Sequence, residues 1–85
     1  MDLRSAILTD HATARLAKRG IDAARVRAVL ATPEHVTPFR PGRVVAQAMI
    51  DDNHLMRVFV DVDREPPEVV TVYVTSKLPK YRSRP

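Results

Sequence analysis

Residues 68–81 read EVVTVYVTSKLPKY. Side chains alternate across an extended strand, so Val70, Val72 and Val74 are expected on one face and Thr71, Tyr73, Thr75 and Lys77 on the other. The first face must be covered by other apolar groups. The second gathers hydroxyls, a phenol and an ammonium, and the chain runs on through Pro79, Lys80 and Tyr81. The rest of the chain is read as the scaffold that buries one face and presents the other.

Two more strands are expected upstream. From Arg43 to Ile50, Val44, Ala46, Ala48 and Ile50 alternate with Arg43, Val45, Gln47 and Met49. Asp51, Asp52 and Asn53 are turn residues, and His54–Asp63 returns with Met56, Val58, Val60 and Val62 against Leu55, Arg57, Phe59 and Asp61. Residues 64–67, REPP, form the next turn, which gives an antiparallel meander. Residues 33–42, PEHVTPFRPG, hold three prolines and a glycine and read as a loop or an edge segment. Residues 3–8, LRSAIL, suit a short strand or a packed lead-in.

Between these lie two helices. Thr9 and Asp10 offer N-cap oxygens to a helix that runs to Arg19 and ends at Gly20, which accepts the left-handed conformation. Ala12, Leu16 and Ala17 make its apolar stripe, while His11, Arg15 and Lys18 lie along a polar face. Asp22 caps a second helix, with Ile21 stapled onto Val26, that stops near Ala31 because Pro33 disfavours helical geometry before it. The expected fold is α+β: an N-terminal helical hairpin packed on one face of a three- to four-stranded antiparallel sheet, the fourth strand coming from residues 3–8 or 33–42. Residues 1–85 read as a single domain and 78–85 as its basic C-terminal tail. The face away from the helices would be open, carrying Arg43, Gln47, Arg57, Tyr73, Thr75 and Lys77, with Met49, Leu55 and Phe59 as its apolar part.

Composition narrows the classes. A chain of 85 residues buries only about 60 to 65% of its unfolded surface, so the core is thin. With no cysteine there is no disulfide framework and no thiol nucleophile. No apolar run approaches the ~20 residues of a membrane span, and the first ten residues mix acid and base too closely for a secretory signal. A cytoplasmic protein without membrane attachment is expected. The net charge is +4, and all but three of the fourteen basic residues are arginines, whose planar donor fork suits phosphate oxygens.

RNA cleavage by the 2′-hydroxyl needs groups that move protons and cations around the phosphate, with no metal. Lys77 and Arg57 suit the phosphate, His11 and Tyr81 suit proton transfer, and Thr75 and Tyr73 suit hydrogen bonds to phosphate or ribose. Arg15, Arg19, Arg43 and Lys80 extend the cationic surface. His35 and His54, in a loop and beside a turn, receive no role. Three scattered histidines are a poor metal-ligand set, and neither metal nor cofactor is expected. Each feature also has a plain structural reading: His11 as a surface or capping residue, Tyr73 and Thr75 as strand formers, Lys77 as an edge charge.

The run LTDHATARLAKRGIDAARVRAVL, the GRVVAQAMIDDNHLMRVFVDVD hairpin and the closing VTVYVTSKLPKY resemble small bacterial uncharacterised domains grouped with the RelE and BrnT ribonuclease toxins. The most specific parts are His11, Arg15 and Arg19 with Gly20, and Thr75-Ser76-Lys77 with Tyr81. The resemblance implies a helix pair on a twisted sheet and metal-free RNA cleavage on the other face. It places Arg57, Lys77 and Tyr81 with the basic and tyrosine residues of those toxins, and His11 with their helix histidine. No glutamate on the face matches the carboxylate base of barnase-type relatives. The expected function is a metal-independent ribonuclease toxin whose partners are RNA, free or on the ribosome, and an antitoxin protein. The alternatives are a non-catalytic RNA- or protein-binding module, and a homodimer subunit joined through Met49, Leu55 and Phe59.

Overall fold

A computed structural model describes residues 2–76. In chain order the elements are β1 (Ile7–Leu8), α1 (Asp10–Arg19), α2 (Ala23–Ala31), β2 (His35–Arg40), β3 (Arg43–Asp51), β4 (His54–Asp61) and β5 (Glu68–Thr75). The strands make one sheet in the order β1-β5-β4-β3-β2. β2, β3, β4 and β5 pair antiparallel, whereas β1 runs parallel to β5, with Ile7 opposite Glu68 and Leu8 opposite Val69.

The helices form where capping dictates. Thr9 is extended and its hydroxyl accepts from the Ala12 amide at 3.1 Å, while Asp10 faces the positive end of the helix dipole. Gly20 has φ +65°, and it and Ile21 donate to the carbonyls of Ala17 and Leu16, which closes α1 as a Schellman turn. Asp22 caps α2 through the Ala24 amide at 2.9 Å. The buried faces are Ala12 and Leu16 on α1 and Val26, Val29 and Leu30 on α2. They meet Val44, Ala46, Ala48, Met56, Val58, Val60, Val69 and Val72 of the sheet. Each large aliphatic group so buried contributes roughly 1.5–3 kcal/mol.

Three expectations are corrected. The sheet has five strands and is mixed, not three- to four-stranded and antiparallel, because both doubtful segments join it, one at each edge. Periodicity within a segment carries no information about pairing between distant parts of the chain, and a parallel partner for the last strand comes from the other end of it. Residues 35–40 pair with β3 despite Pro38, which is tolerated because β2 is an edge strand. The helices are not a hairpin packed as a unit. α1 lies against β5 and β1, and α2 against β3 and β4, so each short apolar stripe faces its own part of the sheet.

The third correction is local. β5 carries a bulge: Phe59 faces Thr71, but Val60 faces Val69, which leaves Val70 unopposed. Val69, not Val70, therefore shares the core with Val72. Downstream of the bulge the expected alternation holds.

The N-terminal segment is held by Leu3, 1% exposed, more than by its strand. The Ile7 amide donates to the Pro67 carbonyl at 2.9 Å, and the Ile7 side chain is 40% exposed. Leu3→Ala should lower the unfolding free energy by about 2–4 kcal/mol and Ile7→Ala by less than about 1 kcal/mol, as read by urea denaturation. Equal small losses would mean that residues 3–8 lie outside the cooperative core.

Candidate functional site

The face away from the helices is organised by register. His35 on β2 is opposite Gln47 on β3, Gln47 is opposite Arg57 on β4, and Arg57 is opposite Tyr73 on β5. Directly opposed residues in antiparallel strands point to the same face, so these four polar side chains form one row across four strands. At about 4.8 Å per strand the row spans roughly 14 Å. Beside it run Thr37, Val45, Phe59 and Thr71, again one residue per strand.

This face has a small core of its own, which corrects the expectation of an open plate. Val45, Leu55 and Phe59 are buried, as is Gln47. Arg57 is only partly exposed. Its Nε donates to Gln47 Oε1 at 3.1 Å, and a terminal nitrogen donates to the Tyr73 hydroxyl at 2.5 Å. Its guanidinium lies 5.6 Å from the ring centres of both Phe59 and Tyr73. Those rings stack at 5.9 Å, and Phe39 meets Phe59 edge-on at 5.0 Å. An arginine gripped at this many points loses little freedom on meeting an anion, and its fork matches a phosphate. The Tyr73 oxygen accepts from Arg57, which fixes the phenol beside the guanidinium. Stacked aromatic faces beside a fixed cation suit an unpaired base and its phosphate.

The expected site residues are not all brought together. Arg57, Tyr73 and Thr75 share this face, Thr75 lying opposite Leu55. Arg19 reaches the edge of β5 from the end of α1 and donates to the Val72 carbonyl at 2.7 Å. It lines a surface depression with Gly20, Ile21, Thr71, Tyr73 and Val74. His11 does not join them. It is exposed on the first turn of α1, on the helical side of the sheet, with Arg15 and Lys18 exposed along the same helix. Lys77, Lys80, Tyr81 and the tail 78–85 lie outside the described residues. Among the described residues, no group of three or more His, Cys, Asp or Glu side chains is placed to hold a metal ion.

Much of the arginine excess is structural. Besides Arg19, Arg25 donates to the Ile50 carbonyl at 3.0 Å and Arg27 to the Ala6 carbonyl at 2.9 Å, each tying a helix to the strand or lead-in beside it. Arg64 reaches Glu68 at 3.3 Å. The guanidinium groups of Arg19, Arg25 and Arg27 keep their charge, since a carbonyl is neutral, but the fold fixes where they stand. Two residues on the second face were missed in the sequence, His35 and Phe39, because their segment reads as a proline-rich loop. Once residues 35–40 are a strand in register with β3, His35 falls into the polar row.

Arg43, expected to bind RNA, makes a forked ion pair with Asp61, at 2.6 and 3.3 Å. The guanidinium holds the Asp61 carboxyl below its ordinary value. A carboxyl depressed in the folded state stabilises fully above its unfolded value, near 3.9, and loses that contribution as pH falls through the lower folded value. Asp61→Asn should therefore lower stability at pH 7 and flatten its decline below about pH 4, as measured by thermal unfolding across pH. An unchanged acid limb would show that the pair contributes nothing.

No curated protein and no solved structure matches this chain. A family model matches residues 8–74, which takes in both helices and all but the first residue of β1 and the last of β5. The chain belongs to the family described as a domain of unknown function, DUF4258.

Proposed function

We propose that the domain acts on RNA as a metal-independent ribonuclease toxin, with its site on the sheet face opposite the helices. The observation that carries this reading is the Arg57 guanidinium, held between Gln47 and Tyr73 and lying over two aromatic rings. A fixed cation with a phenol donor beside it can bind a phosphodiester and stabilise the charge that develops when a 2′-hydroxyl attacks it. The resemblance of Thr75-Ser76-Lys77 and Tyr81 to the closing pattern of the RelE and BrnT toxins adds support. Tyr81 and Lys77 would supply proton transfer and a second cation. The enzyme would work in the cytoplasm, on free or ribosome-bound RNA, and an acidic segment of an antitoxin protein laid over the same face would hold it in check.

A second reading has its own observation. Arg57 is engaged by its neighbours and Arg43 by Asp61, so the face also suits a module that binds RNA without cleaving it. The two separate on expression in growing bacterial cells, which supply translating ribosomes. The wild-type domain should arrest growth and produce new RNA 5′ ends. Tyr73→Phe, which removes only the hydroxyl, and Arg57→Lys should reduce both at least tenfold at equal folded protein level. RNA that co-purifies with the wild type but stays intact, without arrest, would decide for the binding module.

A further inference from the structure

Among the exposed side chains of the second face are His35, Thr37 and Phe39 of β2, and two of these carry rings that the Arg57 cluster leaves accessible. Phe39 is 56% exposed although its ring rests edge-on against buried Phe59. A single exposed apolar side chain is ordinary on a protein surface, so this ring is notable for its place and not for its exposure. This ring is one contact away from Arg57, since Phe59 lies under both. His35, also exposed, stands at the free end of the polar row, two strands from Arg57 and thus roughly 10 Å from it. Phe39 is four positions on from His35 along the strand, about 13 Å away. The two residues and Arg57 therefore mark a triangle about one to two nucleotides on a side, with an aromatic platform, a fixed cation and an imidazole at its corners.

We infer that β2 is the recognition strand of the site: Phe39 stacks an unpaired RNA base whose phosphate lies on Arg57, and His35, not His11, is the histidine that contacts the bound strand. The inference rests on the reading that the domain acts on RNA. It commits to single-stranded RNA because a ring standing at the edge of a sheet reaches only a base that is out of its helix. His11 is excluded by position. It is exposed on the first turn of α1, the helix whose buried side carries Ala12 and Leu16.

The test is binding, so it does not depend on turnover. The full chain is titrated with a fluorescent single-stranded RNA oligonucleotide made uncleavable by 2′-O-methyl groups, and the histidine and phenylalanine ring signals are followed by NMR in the same titration. The expected result is that Phe39→Ala weakens binding roughly five- to a hundredfold. Phe39→Trp restores it, His35→Ala weakens it severalfold, and His11→Ala leaves it unchanged. The ring signals of Phe39 and His35 move on binding while those of His11 do not. Phe39 and His35 are exposed, so urea midpoints close to wild type should accompany these losses. If the wild type binds RNA but Phe39→Ala and His35→Ala bind equally well, the inference about β2 is overturned and the RNA reading stands. If the wild type binds no RNA as single strand, hairpin or ribosome, both fall together.

Discussion

Strand β4 sends Met56, Val58 and Val60 toward the helices and Leu55 and Phe59 to the opposite side, and all five are nearly inaccessible. A strand buried on both faces must be central, and both of its faces must be roofed. One roof is built by α1 and α2, whose apolar stripes are short and whose caps hold them to about three turns each. The other is built by side chains: Arg57 laid over Phe59 and Tyr73, with Phe39 against Phe59 at the margin. The candidate site is thus part of what completes the fold. The same guanidinium that covers Phe59 is the group best placed to meet a phosphate.

That coupling explains why the basic character of the chain is a poor guide to its surface. Arginine is long enough to lay an apolar stem along a face and end in donors that reach a carbonyl. Arg19, Arg25 and Arg27 each donate to the carbonyl of a neighbouring segment, and Arg43 is matched by Asp61. Arg57 is held in the same manner but between aromatic rings and beside a phenol, and this sets it apart from the others in chemistry more than in charge.

Both sheet edges are managed differently. β5 would present an open edge beside α1, but the N-terminal segment pairs with its first residues and Arg19 takes the Val72 carbonyl further on. β2 closes the other edge with a proline in mid-strand and a bulge between Pro38 and Arg40. Those features discourage pairing with another chain while leaving the side chains of His35 and Phe39 on the outer face.

The helices, their caps at Thr9, Asp22 and Gly20, and the alternation of β3 and β4 were all legible in the amino-acid order. These depend on contacts between residues a few places apart, and local spacing records such contacts directly. The grouping of Arg57, Tyr73 and Thr75 on one face was legible for the same reason, since a period of two assigns faces without any knowledge of partners. The parallel pairing of residues 7–8 with 68–69, the entry of residues 35–40 into the sheet, and the spread of the helices over separate strands were decided only by tertiary structure. So were the placements of His11 on the helical side of the sheet and of His35 in the polar row of the other face. Each depends on which distant segment fills an edge or roofs a face, a matter of total burial over the whole molecule that no local pattern carries.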